Sequence, residues 1–383
     1  MFEWMKRRTC SIGGKCSGCD LITKSRRIQL QQKVAILRTE WKQYAKTPLP
    51  SQISVLKVRD KELSTVVDVS FQRDGNNTLL GFYDLERENL LNAAPCPALI
   101  PDLQTFLTEL SRKPPPINRA SFRLRINPHG QRGLWIDTSN LEIRSLLNDK
   151  RWLRFWMENA HIEMGQQRKY VQDEGTELRL NKPLIRPWFS THLSIANKDI
   201  PLWTVVGGIT KPSIIASRHL VHHVLQLAIE SGANRWLEFG SGCGTFTLPF
   251  AEKFEHITAT EISSFSREGL SKAAQQQKLQ KKIVISNINL QRNNLQSQAL
   301  FEQAEGLLID PPRSGVLDSL KTLKDAKKKP HSIIYVSCYA RTLAKDSIFL
   351  EELGYKLKHI EGIDQFPNTS RCEWIALFQH TKT

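Results

Sequence analysis

No stretch of about 18 consecutive apolar residues occurs anywhere in the chain, so a membrane-spanning helix is not expected. The N-terminal "MFEWMKRRTCS" is basic, but it is not followed by the apolar core of a secretory leader. The expectation is therefore a cytoplasmic protein with no membrane among its partners. Internal repeats are also missing, which excludes solenoids and propellers. Acidic residues are scarce: 38 Asp and Glu face 54 Lys and Arg, leaving a net charge of +16 and a pI near 9.6. Such an excess points to a polyanionic partner, because cations that neutralise phosphates release counterions. Nucleic acid is favoured over a merely basic soluble surface. An even cysteine count is lacking too. The seven are Cys10, Cys16, Cys19, Cys96, Cys243, Cys338 and Cys372. An odd number in a long cytosolic chain points away from a disulfide framework and toward metal-binding or catalytic thiols.

With 383 residues, of which 40% are hydrophobic and 24% charged, the chain suits a soluble protein of two domains. From about residue 51 come short β-like runs, "VLKVR", "STVVDVSF" and "LLGFYDL", separated by turn signals such as "RDGNN". "SRKPPPIN" reads as a linker, since three prolines bar both helix and central strand. "RASFRLRIN" and "GQRGLWIDT" then form a further hairpin carrying Arg119, Arg123, Arg125 and Arg132. The pattern changes near residue 200. "RWLEFG", "HITATE", "KIVIS", "GLLID" and "IIYVS" alternate with helix-capable polar segments, which predicts βαβ units and a parallel sheet. "YKLKHIEGI" and "EWIALFQ" follow each other directly and predict an antiparallel addition at the sheet's edge.

Chemistry-bearing residues cluster at the ends of these strands. "RWLEF" runs into "GSGCGTF", with glycines at Gly240, Gly242 and Gly244. Such turns let backbone approach a nucleotide-like ligand at the carboxyl end of the first strand. Glu261, closing the next strand, can accept both ribose hydroxyls. The G-x-G-x-G spacing lacks the phosphate cradle of G-x-G-x-x-G. A methionine-linked adenosine, which has no pyrophosphate, therefore fits better than NAD. Asp310 opens the rigid "DPPRSG", where it faces the ligand crevice or caps the next helix. Cys338 ends the strand "SIIYVS", and the helix starting near Arg341 turns its positive end toward the thiol, favouring thiolate. The alternative is an inert buried cysteine.

"DPPRSG", "YVSCYARTLAKD" and "IDQFPNTSRCEWIALF" together resemble the RNA uracil-5-methyltransferase family, with its DPPR, S-C-N-x-x-T-x-x-x-D and F-P-H-T-x-H-x-E motifs. The resemblance implies that Cys338 is the nucleophile and Glu373 the general base. It places Gly240, Glu261 and Asp310 against S-adenosyl-L-methionine. Lys211, in "ITK", stands where the family's F-x-Q glutamine contacts that cofactor. The chain departs from the pattern at Tyr339, where the family has Asn, and at Asn368 and Arg371, where it has His. The implied fold is α/β: a Rossmann-like class I methyltransferase domain at 201–383 behind an N-terminal α+β domain at 1–200, which carries the cysteine cluster and binds RNA.

"CSIGGKCSGCD" sets Cys10, Cys16 and Cys19 in a C-x5-C-x2-C array, with Cys96 as a fourth thiolate. Spacing alone leaves iron–sulfur and zinc open. The resemblance is to the family's cluster-bearing branch, which methylates large-subunit ribosomal RNA, and implies a [4Fe-4S] cluster. That branch's oligonucleotide-binding barrel has no room ahead of Cys10. The expected activity is formation of 5-methyluridine in 23S rRNA through a Cys–C6 adduct, by a monomer. A tRNA uracil-5-methyltransferase and an inactive RNA-binding homologue are the alternatives. A cytosine-C5 enzyme would bring a second cysteine near the D-P-P position, and "DPPRSG" has none.

Overall fold

The computed structural model describes residues 10–59, 61, 63–137, 143–165, 169–175, 177–193, 198–292 and 294–381. The sequence divides once, near residue 200. The folded chain instead forms two interleaved units: Met1–Lys24, Arg59–Phe189 and Thr204–Ile214 make the first, and Ser25–Val58, Ser190–Trp203 and Ile215–Thr383 the second. Helix α1 (Arg26–Tyr44) and the two-residue strand β1 (Val55–Leu56) account for part of the difference. Both belong to the second unit, although "VLKVR" reads as part of the first domain's β-rich region.

In the first unit β2 (Val66–Asp74), β3 (Asn77–Tyr83) and β4 (Leu90–Asn92) precede α2 (Pro101–Arg112). Then come β5 (Arg119–Ile126), β6 (Arg132–Asp137), α3 (Ile143–Asn148), α4 (Lys150–Asn159), β7 (His161–Met164), β8 (Lys169–Asp173) and β9 (Leu178–Asn181). The strands form one sheet in the order β4-β3-β2-β5-β6-β7-β8-β9. Val67, Val69 and Phe71 alternate into its buried face, as the period of two requires. They share one core with Leu103, Phe106, Leu107 and Leu110 of α2 and with Trp156 of α4. α2 starts on Pro101, where a missing N–H costs nothing. The proline run connects α2 to β5. The hairpin of β5 and β6 is antiparallel as expected. A separate two-stranded sheet pairs β10 (Arg186–Leu193) with β11 (Lys198–Thr204).

The second unit continues with α5 (Ile214–Glu230), β12 (Arg235–Phe239), α6 (Thr247–Lys253), β13 (His256–Thr260), α7 (Ser264–Gln276), β14 (Ile283–Ser286) and α8 (Leu295–Gln303). β15 (Gly306–Ile309), α9 (Leu317–Asp325), β16 (Ser332–Ser337), α10 (Ala340–Glu352), β17 (Tyr355–Ile363) and β18 (Glu373–His380) complete it. Its sheet has the order β1-β17-β18-β16-β15-β12-β13-β14. β12 to β16 are parallel, and β18 runs antiparallel to both β16 and β17. The antiparallel pair is therefore not the edge: β1 adds in parallel outside β17 and covers its open ladder. Between β12 and β15 the chain reverses its direction of winding. In an open α/β sheet that switch point opens a ligand crevice at the carboxyl ends of the strands.

Candidate active site

The crevice is built from strand ends. Gly240, Gly242 and Gly244 all have positive φ, at 72°, 56° and 100°, a region closed to most side chains. At Gly244 a Cβ would press on Leu270 at 2.6 Å, whereas one at Gly242 would meet open space. Packing therefore explains the former, and the latter is the turn that faces the crevice. Glu261, just past β13, accepts hydrogen bonds from Gly242 N at 3.0 Å and Ser263 N at 2.6 Å, fastening the turn. Gly240 stands close to the backbone of Asp310 at the end of β15, so a Cβ there would lie 3.2 Å from the Asp310 carbonyl.

A third acid, not singled out from the sequence, sits beneath them. Glu238 in β12 is fully buried and accepts from Thr247 Oγ1 at 2.6 Å. Burial pushes its carboxyl from 4.5 up to about 8, and the charges of Asp310 and Glu261 push the same way. Three carboxyl groups thus share one neighbourhood, which suits a ligand carrying a sulfonium and an ammonium. The lone acid in the apolar "RWLEF" was the available signal. Because the folded protein holds this proton to a higher pH than the unfolded chain does, Glu238 erodes stability as pH rises from about 4.5 to 8. Thermal melts of Glu238→Gln should show a gain over the parent that is larger at pH 8 than at pH 6.

Cys338 and Glu373 come together through strand register. β16 and β18 pair from Ser332↔Gln379 to Ser337↔Trp374. The ladder ends there, with Cys338 the residue after β16 and Glu373 the first residue of β18, so the antiparallel pairing brings the two to the same end of the strands. Both therefore stand at the edge that carries Gly242, Glu261 and Asp310. α10 begins at Ala340, one residue earlier than expected. Glu373 is buried and its Oε2 accepts from Gln365 Nε2 at 3.1 Å. Cys372 alternates to the other face: it is buried in the apolar core, with Sγ 3.4 Å from the Ile363 carbonyl. Burial drives its pKa upward, so the thiol stays protonated. Asp346 on α10 accepts from Val316 N at 2.9 Å and from Tyr335 Oη at 2.6 Å. That one carboxylate ties the end of the "DPPRSG" loop to β16, and Gly315 leaves room for it.

The first unit carries the other candidates. Cys10, Cys16, Cys19 and Cys96 are free thiols. Among the described residues no three His, Cys, Asp or Glu side chains are already arranged as ligands of one metal ion. The four sulfurs nevertheless lie within one another's electrostatic reach. Burial first, then Cys96, Cys16 and Cys10, push Cys19 up to about 12. Burial, opposed by a backbone hydrogen bond, pushes Cys96 up to about 11, with Cys10 and Cys16 adding to it. The expected arginine row is largely occupied. Arg123 pairs with Asp68 through Nε at 2.6 Å, Arg132 with Glu109 at 2.5 Å, and buried Arg125 donates to the Gly208 carbonyl at 2.6 Å. Lys211 lies in the stretch Thr204–Ile214 of the same unit, apart in the chain from the glycine turn.

A doubly wound sheet with a glycine turn, an acid closing the second strand and further acids at the switch point defines a class I S-adenosyl-L-methionine-dependent methyltransferase. Residues 145–381 match the tRNA (Uracil-5-)-methyltransferase family model, and the chain belongs to that family. It is an RNA uracil-C5 methyltransferase that uses S-adenosyl-L-methionine. An uncharacterised RNA methyltransferase of Bdellovibrio bacteriovorus is 33% identical over 387 residues, covering 100% of this chain and 97% of that one. A 23S rRNA (uracil(1939)-C(5))-methyltransferase of Shewanella woodyi is 26% identical, covering 97% and 81%. In fold the chain resembles the tRNA (uracil-54, C5)-methyltransferase of Pyrococcus abyssi solved with S-adenosyl-L-homocysteine. The TM-score is 0.65 at 16% identity, over 95% of this chain and 86% of that one. Among the described residues no helix is long and apolar enough to cross a membrane.

Proposed function

We propose that the protein forms 5-methyluridine in 23S ribosomal RNA through a covalent bond between Cys338 and uracil C6, with Glu373 as the base. The observation that supports this is the antiparallel β16–β18 pairing, which puts the end of β16 and the start of β18, and so Cys338 and Glu373, at the same edge of the sheet. Uracil C5 is a weak nucleophile. Addition of the Cys338 thiolate to C6 converts the ring to an enolate with electron density at C5. Gly240, Gly242, Gly244, Glu261 and Asp310 would hold S-adenosyl-L-methionine, which when bound would supply the methyl group to C5 and leave as S-adenosyl-L-homocysteine. Glu373 then removes the C5 proton, the enolate re-forms, and the C6–S bond breaks to return the thiolate. In folded RNA the base must first leave its stack. The ribosomal assignment follows the names of relatives at 26% identity. Mapping 5-methyluridine in total RNA from cells lacking the protein tests it: one uridine of 23S RNA should lose its methyl group. Loss confined to transfer RNA would overturn the substrate.

We infer further that Cys10, Cys16, Cys19 and Cys96 hold a [4Fe-4S] cluster, with a zinc ion on the same thiolates as the alternative. The donor set fits: burial first, and the neighbouring thiols second, hold the Cys16, Cys19 and Cys96 thiols protonated, and a cluster's positive charge would favour the thiolates instead. Protein purified without oxygen should be brown and carry iron and sulfide. Colourless protein with one equivalent of zinc would establish the alternative. Iron removal should destabilise the first unit, because the ligands join the N-terminal segment to Cys96.

A further inference from the structure

Helix α1 presents an unusual buried stripe. Gln29, Lys33, Leu37 and Trp41 recur every four residues on one face, and the first two are polar yet as inaccessible as the others. Leu37 and Trp41 enter the second unit's core. Gln29 and Lys33 meet instead the loop between β17 and β18, whose last residue precedes Glu373. The contacts fall at three points. The Asp364 carboxylate is ion-paired to both Lys33 and Arg26. Lys33 Nζ also donates to the Phe366 carbonyl at 2.8 Å. Gln29 and Asn368 form a two-way pair: Gln29 Nε2 donates to Asn368 Oδ1 at 3.0 Å, and Asn368 N donates to Gln29 Oε1 at 3.0 Å. From this loop Gln365 reaches Glu373.

Burying Lys33 with Asp364, and partly burying Arg26 beside them, is a poor route to stability, since apolar side chains of similar volume do as well. Such groups earn retention when they fix one geometry. Asn368 also has φ +65°, a conformation that Asn tolerates better than most residues. Histidine, which the family carries there, is replaced in this chain by a residue that suits both the backbone and the Gln29 amide.

We propose that α1 is the positioning element of the base, and that the Gln29–Asn368 pair is its specific contact in this protein. The proposal rests on the reading of Glu373 given above. Gln29 does not touch the reacting atoms; it acts by holding the loop that sets where Glu373 stands.

The test uses the full-length protein, an RNA fragment containing the target uridine and S-adenosyl-L-methionine. In Gln29→Ala and in Asn368→Gly, which keeps the positive φ, kcat should fall about 10- to 100-fold, the loss expected when a reacting group is displaced by about 1 Å. Calorimetric affinity for S-adenosyl-L-methionine should not change. The RNA adduct resistant to denaturation should rise, because the step that fails is proton removal after addition. The double variant should be no slower than Gln29→Ala alone, since that variant already removes both bonds of the pair and Asn368→Gly removes only the one that its side chain accepts. Gln29→Glu keeps the acceptor for Asn368 N and, with the Asn368 amide turned over, the second bond as well. It should recover most of the lost rate. Parent-like turnover in Gln29→Ala overturns the proposal, as does a loss that multiplies in the double variant or one that comes with lost cofactor affinity. A parent protein that forms neither adduct nor product would instead remove the assignment of Cys338 and Glu373 on which the proposal stands.

Discussion

Cys338→Ala should abolish both methyl transfer and covalent attachment to RNA, while Cys372→Ala remains active. The two thiols flank paired strands, one just after β16 and the other just before β18, yet their surroundings differ. Cys338 is partly exposed at the carboxyl edge, next to the start of α10. Cys372 is sealed in the apolar core and kept protonated by burial. Without a thiol at position 338 the ring is never activated, and losing a nucleophile of this kind lowers kcat on the order of 10⁵-fold or more. Cys372→Ala removes a sulfur that fills space beside Gly362 and should cost of order 1 kcal/mol of stability without touching the chemistry. Methyl incorporation from labelled S-adenosyl-L-methionine, run beside denaturing electrophoresis of the RNA complex, reads both. A dead Cys372→Ala with a working Cys338→Ala would reverse the assignment. Activity in both variants would remove the covalent mechanism altogether.

The strands that lead into the glycine turn, Glu261, Asp310 and Cys338 were legible in the sequence, and a parallel sheet gathers their carboxyl ends at one edge. "RWLEF", "HITAT", "GLLI" and "SIIYVS" are found as β12, β13, β15 and β16, so the motifs that follow them necessarily converge. Register was not legible. Nothing in "YKLKHIEGI" or "EWIALFQ" says that the second strand inserts beside β16, and that insertion is what brings the start of β18, with Glu373, to the edge where β16 ends. Helix α1 was invisible for a different reason. Its buried stripe mixes Gln29 and Lys33 with Leu37 and Trp41, so apolar periodicity does not mark it, and its partners lie more than 330 positions away. The tie from Asp346 to Val316 and Tyr335 escaped notice likewise, because a buried acid on a helix looks like any other charge until its partners are placed. The arginines of β5 and β6 carry the opposite lesson. They read as an RNA-binding row, but Arg123, Arg125 and Arg132 are committed to partners within their own unit.

Glu373→Gln should stop the reaction at a different point from Cys338→Ala. Addition at C6 needs the thiolate, and methyl transfer needs the enolate that addition creates; neither needs the carboxylate. Loss of the C5 proton does need it, and until that proton leaves the C6–S bond cannot break. Turnover should therefore fall by roughly 10²- to 10⁴-fold, the usual contribution of a positioned base. A protein–RNA adduct should accumulate and survive denaturation. The replacement is close to isosteric, and its amide oxygen can still accept from Gln365 Nε2, so the buried site should keep its packing. Mass spectrometry of the trapped nucleotide supplies the sharper criterion: the adduct must already carry the transferred methyl group. An unmethylated adduct would place Glu373 before methyl transfer, acting on the cofactor or on uracil orientation. Slow turnover with no adduct, in protein whose Cys338 is intact, would show that another group takes the proton. Either result would leave the family membership untouched but would move the base away from Glu373.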